Sequence, residues 1–236
     1  MRSALIIILL LAPIFILGQE LSAKDVLERA IAFHDPNDQW GGFKGEFKVT
    51  MQTPSSSERV SNIGLDVPKQ RFTLHVAKDD DRYGYVIEKD SCSIYLNEDN
   101  NPKEEDRSRL KLSCERASMF KNYYTYLYGL PMKLKDPGTL LHPKVDMREF
   151  KGKAYLVLRV DYDKAVGEDR WYFYFDPKTY ALEVYQFYHD EQKNDGEYIL
   201  LTDLEIINGI KMPKTRAWYY NKDDKYLGTD VLSTIE

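Results

Sequence analysis

The stretch WYFYFDPKTYALEVYQFYHD, residues 171–190, decides how the whole chain is read. An ordinary half-buried strand alternates apolar and polar residues with a period of two. Here Trp171, Phe173 and Phe175 fall on one face while Tyr172 and Tyr174 fall on the other, so both faces are aromatic. Such a segment predicts a strongly curved antiparallel sheet or half-barrel with an apolar inner surface and tyrosines outside. Asp176-Pro177 supplies a turn inside it.

Downstream of Val145 the pattern is strand throughout. It is punctuated by turn chemistry at Lys151-Gly152, Asn194-Asp195-Gly196, Asn208-Gly209 and Asn221–Asp224. Asn208-Gly209, set between two apolar runs, is a type I′ hairpin signal, because both central residues of that turn need positive φ. Upstream, strands are expected near residues 43–52, 59–67, 70–77, 82–88 and 92–96. A helix is predicted over residues 22–34, capped by Ser22 with Asp25 three residues on, and ended by Pro36. A second is predicted over 113–129, with Met119, Tyr123, Tyr126, Leu127 and Leu130 as its apolar stripe. Residues 97–109 read as an exposed polar loop and 131–143 as an irregular connector. The expected fold is therefore mainly β (α+β). It is a strongly curved antiparallel sheet or half-barrel of about eleven strands, with two or three helices covering the concave face.

The first residues read as an address. Arg2 precedes a 14-residue apolar run, Ala4 to Leu17, followed by the small residue Gly18. A membrane span needs about 20 apolar residues, so the run suits a signal-peptide core, and an uncleaved N-terminal anchor is the alternative. The expected division is residues 1–19 as signal peptide and 20–236 as one domain. No cysteine follows the leader, so no lipid anchor is expected, and the protein is placed outside the cytoplasm, in the periplasm or extracellular space. The net charge is −5. Losing Arg2 with the leader would make it about −6, which argues against nucleic acid, since phosphate binding needs a basic patch.

Cys92 and Cys114 are the two cysteines. An oxidising compartment favours their pairing over two buried thiols. Two cysteines are too few for a structural zinc site.

The layout resembles the LolA/LolB-type lipoprotein-carrier fold. The resemblance is carried by residues 172–187 (YFYFDPKTYALEVYQF), a following strand, Asn208-Gly209 and Ile210-Lys211-Met212-Pro213. His34-Asp35-Pro36, residues 128–137 (YGLPMKLKDP), Trp171 to Pro177, Tyr185 to Asp190 and residues 216–220 (RAWYY) are similar to an uncharacterised family of secreted proteins from Bacteroidetes-type bacteria. That second resemblance implies location and fold. The first implies a carrier of acyl chains, with no functional residue transferable by position. Without a lipid-anchor cysteine the chain departs from the LolB pattern and is closer to a soluble carrier.

A carrier needs an apolar space, and burying about ten methylenes at about 0.8 kcal/mol each would give near-micromolar binding before ordering costs. The candidate ligand-binding residues are Phe47, Val49, Leu156, Leu158, Trp171, Phe173 and Trp218 from the sheet, with Ile31 and Leu127 from the helices. The competing reading is a filled core. The outer tyrosines read as cross-strand packing. No catalytic residue, metal site or cofactor is expected. His34 beside Asp35, and His189 beside Asp190 and Glu191, lack a spacing that specifies chemistry. The acidic runs Asp79–Asp81 and Glu104–Asp106 lack the calcium-loop pattern, and Asp161 with Asp163 reads as a polar strand end. The expected function is non-enzymatic binding of a lipid, lipoprotein acyl chain or other apolar ligand, with a lipoprotein or envelope protein as partner. The alternatives are an envelope interaction module without internal ligand, or a hydrolase or metal enzyme built on His34 or His189.

Overall fold

The structure, a computed structural model, describes residues 21–97 and 99–235. The leader expected over residues 1–19 lies outside the described residues.

The chain builds one sheet from two antiparallel meanders. The first comprises β1 (Lys44–Thr53), β2 (Ser56–Asp66), β3 (Arg71–Lys78), β4 (Asp81–Glu88) and β5 (Ser91–Leu96). The second comprises β6 (Thr139–Phe150), β7 (Lys153–Tyr162), β8 (Arg170–Phe175), β9 (Leu182–Tyr188), β10 (Glu197–Ile207), β11 (Ile210–Tyr220) and β12 (Tyr226–Ser233). Pairing of β1 with β12 joins them, giving the order β5-β4-β3-β2-β1-β12-β11-β10-β9-β8-β7-β6. Every neighbour is antiparallel, as short turns dictate.

Twelve strands stand where about eleven were expected. β6 begins at Thr139 and passes through His142-Pro143, inside the segment read as an irregular connector. Its register against β7 shifts between Leu141 and Val145, which is how an edge strand accommodates a proline. That connector also holds a 3-10 turn, Met132–Lys135. At the predicted hairpin, Asn208 and Gly209 both have positive φ, 48° and 82°.

The helices occupy the concave side. α1 (Ala23–His34) carries the predicted capping box between Ser22 and Asp25 and buries Val26, Leu27 and Ala30. α3 (Cys114–Tyr128), capped by Ser113, buries Ala117, Phe120, Tyr124, Leu127 and Tyr128. The expected stripe was displaced around the helix, and Met119 is 53% exposed. The segment read as a loop holds a further short helix, α2 (Glu104–Leu110), with three acidic residues in its first turn, where the helix dipole favours them. Cys92 on β5 is bonded to Cys114 in the first turn of α3.

The two aromatic faces of residues 171–175 separate as read. Phe173 and Phe175 belong to the concave core, with Trp171 packed against it. Tyr172 and Tyr174 join Tyr155, Val157 and Val184 in a separate convex cluster. There Tyr174 donates to Gln186 Oε1 at 2.7 Å and the Arg148 guanidinium lies over the Tyr172 ring, so the convex tyrosines are indeed cross-strand packing. No helix among the described residues is long and apolar enough to cross a membrane.

Candidate functional site: the aromatic floor beneath α3

The nine residues expected to line a ligand space all belong to one apolar cluster, six as its buried members and three packed against it. They do not share one role. Phe47, Val49, Leu158 and Phe173 are at most 1% exposed, and Leu127 and Leu156 are buried at 4% and 8%. These six are filled core. Ile31 on α1, Trp171 on β8 and Trp218 on β11 are half-buried at its margin.

The two tryptophans define the site. Period two along β8, β9 and β11 puts Trp171, Tyr185 and Trp218 on the concave face, and register sets Tyr185 opposite Ile199, which in turn opposes Trp218. Ring centroids lie 6.0 Å apart between Trp171 and Tyr185, and 6.2 Å between Tyr185 and Trp218. These spacings are those of favourable aromatic pairs. α3 lies above this floor. Tyr126 packs edge-on to Trp171 at 5.9 Å, and Tyr123 stacks on Trp218 at 6.3 Å.

A cleft opens at each end of the floor. The larger, about 660 Å³, lies between α3, the 3-10 turn and the β6–β8 edge. Trp171, Tyr126, Tyr162 and Val166 form its apolar walls, and Lys121, Lys133, Asp136 and Asp169 sit among its polar residues. The Tyr126 and Tyr162 hydroxyls touch across it, and burial pushes the Tyr162 hydroxyl up to about 12, so both are neutral. The smaller, about 240 Å³, is lined by Met51, Tyr123, Trp218, Leu227 and the buried Asp230, with Glu197 also lining it. The larger volume falls within the range for small-molecule sites and the smaller falls just below it.

Beneath α3 the concave face carries charge that sequence reasoning missed. Arg216 and Asp230 are 1% and 3% exposed. Arg216 donates to Pro213 O at 2.7 Å and to Leu127 O of α3 at 3.3 Å, and stacks on the Tyr128 ring at 3.8 Å. Asp230 accepts from the Tyr123 hydroxyl at 3.3 Å. Burial raises the Asp230 carboxyl above its ordinary range, against the opposing pull of Arg59 and Arg216. A signal was present: period two puts Arg216 on the same face as Trp218.

The histidines do not assemble a catalytic centre. His34 is fully buried, bonding Lys211 O through Nδ1 at 2.6 Å and receiving the Leu182 N–H on Nε2 at 2.9 Å. It fastens α1 to β9 and β11 as a neutral ring. Burial lowers its pKa to about 4. His189 is 62% exposed and pairs with Asp169 at 2.6 Å, which raises its pKa. Asp161 pairs with Arg159 and Arg170 rather than with Asp163. Among the described residues no group of three or more His, Cys, Asp and Glu is placed to hold a metal ion.

The sequence matches the model described as "Family of unknown function (DUF6503)" over residues 4–236. No curated protein matches it. Among solved structures, it is similar to the LolA superfamily protein NE2245 from Nitrosomonas europaea. That likeness has 12% identity and a TM-score of 0.50, and covers 90% of this chain and 91% of that one. A putative outer membrane lipoprotein-sorting protein domain from Vibrio parahaemolyticus aligns at 13% identity and a TM-score of 0.49, over 89% of this chain and 90% of that one. At such identities the first is a likeness of fold alone.

Proposed function

The chain belongs to the Family of unknown function (DUF6503), a membership that assigns no activity, and from its fold and site we propose that it binds an apolar ligand in its half-barrel. The ligand is a lipid or a lipoprotein acyl chain, and the protein is a non-enzymatic carrier of the cell envelope, without a cofactor. The observation that carries this reading is the floor of Trp171, Tyr185 and Trp218 beneath α3, with a cleft at either end. The fold likeness to a LolA superfamily protein supports it. In this reading residues 1–19 are an export signal, residues 20–236 form one LolA/LolB-like domain, and a lipoprotein or other envelope protein is the partner.

Tryptophan fluorescence tests the site. Brominated stearate added to lipid-stripped protein should quench the tryptophans saturably, and the quenching should fall when Trp171 and Trp218 are replaced by phenylalanine. Unchanged fluorescence in the wild type would count against the site. The filled core around Phe47, Leu158 and Phe173 favours a second reading, an interaction module with no internal ligand, and that reading predicts the unchanged signal.

A further inference from the structure

Four side chains form one row across the concave face. Arg216 of β11 opposes Asp230 of β12, Asp230 opposes Met51 of β1, and Met51 opposes Arg59 of β2. Directly opposed residues share a face, so the row reads arginine, aspartate, methionine, arginine. Tyr124, Tyr128 and Tyr185 converge on it: Tyr128 lies under the Arg216 guanidinium, Tyr124 packs 6.0 Å from Tyr128, and Tyr185 packs against Trp218. All three tyrosines are 1% exposed.

Buried polar atoms are nearly always hydrogen-bonded, yet these are not. Arg59 Nε, Arg216 Nε, Ser61 Oγ, Asp230 Oδ1 and the hydroxyls of Tyr124, Tyr128 and Tyr185 have no partner within hydrogen-bond distance among the described residues. The hydroxyls can donate or accept, but the guanidinium nitrogens only donate, and two guanidinium charges face a single carboxylate. What such a set lacks is an oxygen-rich anion. The 240 Å³ cleft includes Asp230 in its lining, so a chain lying along the aromatic floor would bring its head to this row. Arg216 and Asp230 are buried while Met51 and Arg59 are partly exposed, so a head group reaches the row from the cleft that Met51 and Asp230 line.

We propose that Arg59, Arg216 and the Tyr124, Tyr128 and Tyr185 hydroxyls form a subsite for the anionic head, carboxylate or phosphate, of an amphiphile whose chain occupies the aromatic floor. This rests on the apolar-ligand reading and names its ligand class.

The test compares heads on one chain. Lipid-stripped protein is titrated with laurate, dodecyl phosphate and dodecanol below their aggregation limits, and with acetate and inorganic phosphate alone. The wild type should bind one or both anionic amphiphiles at least tenfold more tightly than dodecanol. Tyr124→Phe combined with Tyr128→Phe removes only hydroxyls that lack partners among the described residues and lie outside the aromatic floor, so the fold is retained, and the preference should fall about tenfold with dodecanol binding unchanged. Arg59→Gln provides the second variant and should do the same. Equal binding of all three amphiphiles overturns the head-group subsite and leaves the apolar reading standing. A preference untouched by both variants also overturns it. Binding of acetate or phosphate without any amphiphile upholds the anion site and contradicts the apolar reading. Binding of none of the five contradicts both.

Discussion

Phe173 and Trp171 lie two residues apart on the same face, yet they belong to different parts of the molecule. Phe173 has no exposed surface and Trp171 stands at a cleft mouth. Phe173→Ala should therefore cost about 3–5 kcal/mol in a denaturant titration. Trp171→Ala should cost less and should instead weaken acyl-chain quenching. If the two variants lose equal stability and bind alike, Trp171 is core and not site. His34 gives a pH signature. Its folded pKa is about 4 against 6.5 for the free side chain, so between these values the unfolded chain binds the extra proton. Stability from this residue is present above pH 6.5 and lost as pH falls towards 4, by about 3 kcal/mol in all. Asp230, whose carboxyl is raised by burial, and His189, raised by Asp169, act in the opposite direction. The His34 contribution is therefore read as the difference between wild type and His34→Gln. That difference should grow with pH across the window, and a flat one would show that His34 is not held neutral.

At the scale of elements, the disulfide ties an edge strand to the helix that covers the floor. Cys92 and Cys114 are separated by 22 residues, and closing such a loop stabilises a fold by about 3 kcal/mol in the chain-entropy model. Cys92→Ser with Cys114→Ser should lower stability by about that amount. It should also speed amide exchange in α3 more than in α1, since α1 is held independently by His34. Equal change in both helices would show that the bond does not act through α3. What was legible here in the sequence was local: the Ser22–Asp25 box, the Asn208-Gly209 turn and the opposite faces of residues 171–175. β6 was not legible, because His142-Pro143 carries the signature of a connector and only pairing with β7 and a register shift make it a strand. The α3 stripe was misplaced because a helix of mixed tyrosines, with Phe120 and Met119 adjacent, offers two apolar faces. Only the sheet beneath chooses between them.

At the scale of the molecule, two meanders joined along β1 and β12 curve round two helices. That curvature was legible in the doubly aromatic strand. The row from Arg59 to Arg216, buried at Arg216 and Asp230, was not. Arginine and aspartate on a strand ordinarily mark its wet face, and it takes the concave wall of this sheet, with α3 above, to enclose them. The central claim, that the half-barrel binds an apolar ligand, is met most directly by what the protein holds when it is purified. Mass spectrometry of organic extracts from natively purified protein should find a lipid or acyl chain in near-stoichiometric amount, diminished when Trp171 and Trp218 are replaced. An extract with no lipid above background from both proteins would contradict it.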